Sequence, residues 1–317
     1  MISFRYHLVS IVAVLLALGI GIVLGSGFLG GVLLERLRGD VARVAGDNDE
    51  LRAQLAEQGR TLTGYEEFAR QVEVELIGGA LATREVVVLT VDGTDEGTLD
   101  GLGEALEIAG ASVASTVRLT DKVGLEEPED RSELAFVLGT SARGANELRR
   151  QLGIALGAAA AAAAAPEPGA RRQGIGPPQD LERLLRRLTE SRFIAVDRPL
   201  GEPVVPSVAL FLVVEGGGGD PLPRPLTFTR PLALNLARRG AAVLVAEPSV
   251  STWGVVAGVR ADERATDQVA TVDHAETPPG RVATVLGLRR ANLGRPGHYG
   301  TDPGAEGVVP RLAPLAG

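Results

Sequence analysis

The stretch "EVVVLTVDG", residues 85–93, sets the fold class of the chain. Its β-branched residues run without interruption and end at Asp-Gly, which is typical of a strand buried on both faces of a sheet. Residues 98–110 follow with apolar side chains at helical spacing and end at Gly110, and a second strand begins near Val113. The stretch therefore opens a strand-helix-strand unit.

The same order of elements returns late in the chain. "PSVALFLVVEGGGGD", residues 206–220, indicates a strand and a glycine-rich loop, and "RPLALNLARRGAAVLVAEPS", residues 230–249, indicates a helix and a further strand. Strands that alternate with helices favour a sheet with helices on its faces. We therefore predict a Rossmann-like α/β domain over residues 79–292.

The remaining segments of this domain carry weaker signals. Helices are expected at 143–165 and 179–191, a strand at 192–197, and a Pro/Gly-rich linker near 166–178. The other expectations are an acidic loop at 121–133, a strand at 255–259, a hairpin that joins 268–273 to 281–288, and a loosely ordered tail at 293–317.

The N-terminal segment predicts a membrane anchor over residues 1–33. Leu8 to Gly31 is almost wholly apolar and would extend about 36 Å as a helix, which exceeds the hydrocarbon core of about 30 Å. A cleaved signal peptide is the main alternative, because the run ends in small residues, and a buried soluble helix is the weaker one. Small residues recur every four positions and favour close packing of two such helices: Ala13, Ala17, Gly21 and Gly25.

A coiled coil is predicted over residues 34–78, directly after the anchor. Apolar residues alternate at intervals of three and four from Leu34 to Leu76. In this register Asn48 occupies position a, where a buried polar pair fixes the register and favours two strands. We expect a parallel homodimer or a higher homo-oligomer, with an amphipathic helix folded against its own domain as the alternative.

Composition and charge exclude several classes of protein. The formal net charge of −8 argues against a nucleic-acid partner, and the absence of cysteine excludes disulfides and thiolate metal sites. No nucleophile elbow and no Ser/His/Asp arrangement with informative spacing is present. We therefore predict that the chain is not an enzyme and that no cofactor is firmly indicated.

Two groups of residues are candidates for binding a metal ion. His274 lies beside Asp273 and Glu276, and with His298 these residues would suit Cu(II) or Zn(II) if the fold gathered them. The alternative cation site consists of Asp92, Asp95 and Glu96 after the first strand, where carboxylates would suit Mg²⁺. Ordinary loop histidines, turn formation and helix capping also account for these residues.

Three motifs resemble one known family. The opening "MISFRYHLVSIVAVLLALGIGIVLGSGF", the later "TVDHAETPPGRVATVLGL" at 271–288 and the terminal "GHYGT" at 297–301 are similar to the mycobacterial copper transport protein B family of actinobacteria. The resemblance implies an envelope protein of copper homeostasis, described as a pore-forming component that removes copper across the outer membrane.

Two functions follow from the sequence and the resemblance together. The first is an anchored oligomer that takes part in copper export, with copper as the transported ion and the bulk of the chain outside the cytoplasm. The second is a dimeric structural module that binds an envelope protein partner and has no transport activity of its own. Arginines flank the apolar run on both sides, so the positive-inside rule leaves the orientation and the choice of inner or outer membrane open.

Overall fold

The structure is a computed structural model that describes residues 4–164, 179–198, 204–205, 209–219 and 225–311. The linker expected near 166–178 lies outside the described residues. Contacts divide the chain into two units, Met1–Glu67 and Phe68–Gly317.

The second unit contains a seven-stranded sheet within the described residues. Its strands are β1 Glu85–Val91, β2 Ser112–Leu119, β3 Ile194–Asp197, β4 Leu210–Val214, β5 Val243–Ala246, β6 Ala270–Val272 and β7 His298–Tyr299. Their order across the sheet is β3-β2-β1-β4-β5-β6-β7. All neighbours are parallel except β3, which pairs antiparallel with β2. From β1, the strands that follow in the chain are added first on one side of the sheet, as β2 and β3, and then on the other side, from β4 to β7, so the strand order reverses between β1 and β4.

Helices cover both faces of this sheet. The helices in the described part of the chain are α1 Phe4–Ile77, α2 Glu96–Ile108, α3 Pro128–Leu138, α4 Ala145–Ala163, α5 Gln179–Glu190, α6 Pro225–Arg238, α7 Val255–Arg260, α8 Glu263–Thr266 and α9 Pro278–Asn292, with a 3₁₀ turn at Asp121–Gly124, and of α1 only the last turns belong to the same unit as the sheet. One core lies between the sheet and α3 to α8, and the other lies under α2, α9 and the end of α1. Alternate residues of β1 pack into the two cores. Val87 and Leu89 lie in the first core, and Val86 and Val88 lie in the second.

The predicted α/β class is confirmed, and so are the two similar units, which are β1-α2-β2 and β4-α6-β5. Three local expectations are wrong. The segment expected to form the second arm of a hairpin is α9, which begins at Pro278 with Thr277 as its N-cap. Residues expected as a strand at 255–259 form α7, and the acidic loop at 121–133 contains the 3₁₀ turn and the start of α3.

Two elements lie at the ends of the second unit: the last turns of α1 and the strand β7. Helix α1 runs without a break from the apolar segment to Ile77, and its last ten residues belong to the second unit. There Ile77 is buried in the core under α2 and α9. At the other end of the unit, the segment expected as a loose tail supplies β7, whose two residues are buried.

Candidate functional site

The carboxyl ends of the parallel strands carry most of the chemically notable side chains. In open α/β sheets, ligands bind beyond these ends, near the point where the strand order reverses. Here the loops after β1, β4, β5 and β6 each begin with an acidic residue: Asp92, Glu215, Glu247 and Asp273. This edge is therefore the expected position of a ligand site.

The carboxylates after β1 are directed to different partners. Asp92 Oδ2 accepts the backbone N–H of Asp121 at 3.1 Å. Asp95 caps α2, since its Oδ2 accepts the backbone N–H of Thr98 at 2.8 Å. Glu96 pairs with Arg118 at 2.8 Å. Each side chain thus has a separate structural contact, and the alternative cation site stays a prediction.

The crevice between the ends of β1 and β4 is filled by the protein itself. Gly217 packs so closely on the Gly93 carbonyl that a Cβ there would overlap it. The ring of Trp253 lies over both glycines, and its Nε1–H donates to the Gly219 carbonyl at 2.6 Å. The Asp95 backbone N–H also donates to the Gly216 carbonyl at 2.9 Å. The glycine-rich loop therefore closes the usual ligand position.

Two buried carboxyl groups lie behind this loop. Glu215 is 1% exposed, and its Oε2 accepts the Thr229 hydroxyl at 2.6 Å. Burial raises the pKa of Glu215 to about 7; the Thr229 hydrogen bond opposes this rise, and the charge of Glu247 adds to it. Glu247 accepts the Ser251 hydroxyl at 2.6 Å and the Val256 backbone N–H at 2.8 Å. Sequence reasoning missed this pair, because the two residues lie far apart in the chain.

The ends of β6 and β7 bring one histidine and two carboxylates together. His274 Nδ1 lies 2.8 Å from Asp273 Oδ1 and 3.9 Å from Asp302 Oδ1. These three residues form a group whose ligand atoms all lie within 4.8 Å of one another. Asp302 was absent from the sequence-based candidates, although the "GHYGTD" segment that contains it holds His298.

Several hydrogen bonds hold the Asp273 carboxylate of this group in place. It is buried, and its Oδ1 also accepts the backbone N–H groups of Thr301 at 2.7 Å and Asp302 at 3.2 Å. Its Oδ2 accepts Arg260 Nη1–H at 2.7 Å. Burial raises the pKa of Asp273, but hydrogen bonds from His274, Thr301 and Arg260 lower it more, so the pKa lies below its ordinary value.

The other two residues predicted for this site point elsewhere. His298 is buried with Nδ1 at 2.8 Å from the Thr271 hydroxyl and Nε2 at 2.9 Å from the Thr266 carbonyl. Burial lowers the pKa of His298. The Glu276 carboxylate accepts two hydrogen bonds from Ser249, one from its backbone N–H and one from its hydroxyl group. The structure thus joins Asp273 and His274 with Asp302, and not with His298 or Glu276.

The donors in this group have a clear chemical preference. One imidazole and two carboxylates suit Cu(II) or Zn(II), whereas Cu(I) selects thiolate and thioether ligands. The chain has no cysteine and a single methionine, Met1. The hydrogen bond that Arg260 donates to Asp273 Oδ2 would orient the Asp273 carboxylate, as contacts behind metal-bound carboxylates commonly do.

The first unit offers a different kind of surface. Within the part of the chain that the structure describes, one helical segment, Arg5–Gly25, is long and apolar enough to cross a membrane. Ala13, Ala17, Gly21 and Gly25 lie in it, and a Cβ added at either glycine would meet no other atom within 4 Å. The sequence-predicted seam also lies exposed along α1, with Leu37 52% and Val41 68% exposed, and so does Asn48.

Comparisons with known proteins agree with the resemblance noted in the sequence. The family described as "Copper transport outer membrane protein, MctB" matches residues 1–310. The proteins named "Copper transporter MctB" from Mycobacterium bovis and Mycobacterium tuberculosis are each 30% identical to this chain, over 98% of its length and 99% of theirs. The protein of that name from Mycobacterium leprae is 28% identical over the same shares. The chain described here therefore belongs to the MctB family of copper transport proteins.

Proposed function

We propose that this chain is a membrane-anchored component of copper export in the cell envelope, held by one N-terminal span with its α/β unit outside the cytoplasm. The observation that carries the proposal is the apolar segment Arg5–Gly25 in a chain of a copper transport family. The sheet itself is open and covered by helices, with its two cores inside the unit. Any pore would therefore be built from assembled membrane helices.

The same chain acts as a parallel homodimer in this proposal. Exposed apolar residues continue down α1 beyond the span, with Leu51 58%, Leu55 66% and Leu62 61% exposed. Each such side chain gains about 1.5–3 kcal/mol when it is fully buried, so a single helix that leaves them in water is less stable than a pair. The small residues at 13, 17, 21 and 25 would let the paired helices continue into the membrane.

Copper would contact the chain at Asp273, His274 and Asp302. This part of the proposal rests on the donor set, which suits Cu(II), and on the network that fixes Asp273. Replacing His274 by Gln in the purified full chain should weaken Cu(II) binding at least tenfold and remove nitrogen coupling from the Cu(II) electron paramagnetic resonance spectrum. Asp100→Asn, which alters an exposed carboxylate on α2, is the matched control.

Transport is tested in cells that lack the gene. The deletion strain should accumulate copper, and the full chain should restore normal copper content. Purified protein in planar bilayers should conduct. Normal copper content in the deletion strain together with silent bilayers would contradict export.

A dimeric structural module without transport activity is the second candidate. The closed crevice between β1 and β4 favours it, since the usual ligand position of an α/β sheet is filled by Gly217 and Trp253. Under this alternative the dimer would persist, whereas copper content would not depend on the gene. The two functions are therefore separated by the same deletion strain.

Pairing and orientation are tested in one membrane preparation. Asn48→Cys should form an intermolecular disulfide in a parallel dimer, because position a residues of the two chains face each other. Ala53→Cys, at the outward position of the same register, is the control and should not crosslink. Protease added to intact spheroplasts should remove the α/β unit, and its protection would reverse the proposed orientation.

A further inference from the structure

A cavity of about 430 Å³ lies between α2 and the end of the sheet that β2 and β3 form. Small-molecule sites in proteins commonly enclose about 300–1,000 Å³, so this cavity has the size of one. It opens on the face of the sheet that α2 and α9 cover, where Ala195 and Asp197 of the edge strand β3 remain exposed. All of its lining residues belong to the second unit.

The inner end of this cavity is apolar. The sheet contributes Val88, Leu212 and Val214, and α2 contributes Leu102 and Leu106. All five side chains are buried and belong to the core under α2 and α9. The described residues leave space beside them, so the apolar part of a ligand would gain contacts there that the protein itself does not make.

The opening of the cavity carries a negative charge. Among the described residues, three carboxylates and one guanidinium line it, a formal charge of −2, from Glu96, Asp100, Asp197 and Arg118. Arg118 donates to both oxygens of Glu96, with Nη1 at 2.8 Å from Oε1 and Nη2 at 3.4 Å from Oε2. Asp100 and Asp197 are exposed, and no side chain or backbone group of the described chain pairs with their carboxylates. The guanidinium is thus already neutralised, whereas two carboxylates are left unpaired.

A buried hydroxyl group lies on the same face of the sheet. Thr90 pairs in register with Arg118 of β2 and with Val214 of β4, which both line the cavity, so its side chain projects to their face. Thr90 is fully buried, and its Oγ1 has no hydrogen-bond partner in the described part of the chain. Buried polar groups are normally hydrogen-bonded, so this hydroxyl favours a ligand that carries a polar head.

We propose that this cavity binds a small organic cation, with an ammonium head at the opening near Asp100 and Asp197 and an apolar body against α2 and the sheet. The charge at the opening decides the sign of the ligand. A cation would pair with carboxylates that lack a partner, whereas an anion would be repelled by them and would have to displace Glu96 from Arg118. The proposal goes beyond copper export, since none of these residues belongs to the candidate metal group.

Three probes of simple chemistry test the site in the full chain, held in phosphatidylcholine nanodiscs. Titration calorimetry, with the signal of empty nanodiscs subtracted, should show binding of n-butylammonium and tighter binding of n-hexylammonium. Each buried methylene contributes about 0.8 kcal/mol, which is about fourfold in affinity, so the two should differ by about 15-fold. Hexanoate has a similar apolar body and the opposite charge, and it should bind about tenfold more weakly than n-hexylammonium.

A variant that fills the cavity separates binding from folding. Gly103 of α2 lines the cavity, and a Cβ added there would meet no other atom within 4 Å. Leucine is a good helix former, so Gly103→Leu should keep native circular dichroism while its side chain occupies the cavity and abolishes binding of n-hexylammonium.

Variants at the opening test the charge. Asp197→Asn should weaken binding of n-hexylammonium by up to about fivefold, as expected for an exposed ion pair, and should not weaken binding of hexanoate. Asp100→Asn should do the same while Cu(II) binding at His274 stays unchanged, which separates the two sites. The matched control is Glu104→Gln, an exposed carboxylate of α2 outside the lining, and it should change neither affinity.

Three results would overturn the proposal. The first is equal affinity for n-hexylammonium and hexanoate, and the second is undiminished binding in Gly103→Leu with native circular dichroism. The third is no binding of any probe, the result expected if a second copy of the chain or an added peptide strand covers this face instead.

Discussion

The ion pair between Glu73 and Arg281 supports a quantitative prediction, since it joins the last turns of α1 to α9. Glu73 Oε1 lies 2.8 Å from Arg281 Nε, and Oε2 lies 2.6 Å from Nη2. The two side chains are 5% and 17% exposed. Glu73→Gln keeps the shape but removes the charge that neutralises the guanidinium.

The size of the effect is estimated from the two hydrogen bonds. Each bond to a charged group contributes about 1.5–3 kcal/mol, and Gln retains part of one of them. Arg281 also keeps its bond to the Glu276 carbonyl at 2.7 Å. We therefore expect a loss of about 3 kcal/mol, and a fall in Tm of roughly 6–12 °C for a unit of this size.

Thermal unfolding of the full chain in detergent, followed by Trp253 emission, measures this loss in the second unit. The matched control is Glu75→Gln, an exposed carboxylate two residues away on the same helix. A double-mutant cycle with Arg281→Gln should give a coupling energy of about 1–3 kcal/mol. If Glu73→Gln unfolds at the same temperature as Glu75→Gln, the ion pair does not stabilise the fold and the reasoning is wrong.

Three further predictions concern helix packing, a buried carboxylate and the paired helices. Gly157→Ala should destabilise the chain by about 2 kcal/mol in denaturant titrations, because its Cβ would lie 2.6 Å from the Leu232 carbonyl oxygen; Gly103→Ala, with open space at its Cβ, should instead stabilise by up to about 1 kcal/mol. Asp273→Asn should cost stability at pH 7, and the difference should shrink in acid as the pH falls through the lowered pKa of Asp273; a constant difference would contradict the assignment. Leu51→Glu should abolish the dimer in analytical ultracentrifugation, whereas Ala53→Glu should leave it intact.

Continuous apolar runs made the sheet predictable. β1, β4 and β5 are buried on both faces, so their sequences carry a signal that does not depend on tertiary context. Apolar β-branched residues also led to the wrong prediction of strands at α7 and α9, where valines and threonines lie in helices. In α9 the Pro-Pro pair at its start and the Thr277 cap were the better indicators, since proline is favoured in a first helical turn.

The candidate metal group was predictable only in part. Asp273 and His274 are adjacent in sequence, so their proximity follows from the chain itself. Asp302 lies close to them because β7 pairs with β6 at the edge of the sheet. A strand of two residues is too short to be recognised from its sequence pattern. His298 looked equally suitable by residue type, but the same strand turns its ring towards Thr271 and Thr266.

The pairing of β1 with β4 has a consequence for how the protein is made. β1 ends at Val91 and β4 begins at Leu210, so the centre of the sheet joins segments about 120 residues apart. A ribosome that adds about 5–20 residues each second needs roughly 6–24 s to complete this interval. Through that time the apolar β1 has one open edge, which in a nascent chain is a site for aggregation or for a chaperone. The α/β unit is thus built to fold late, after synthesis has moved well beyond its first strand.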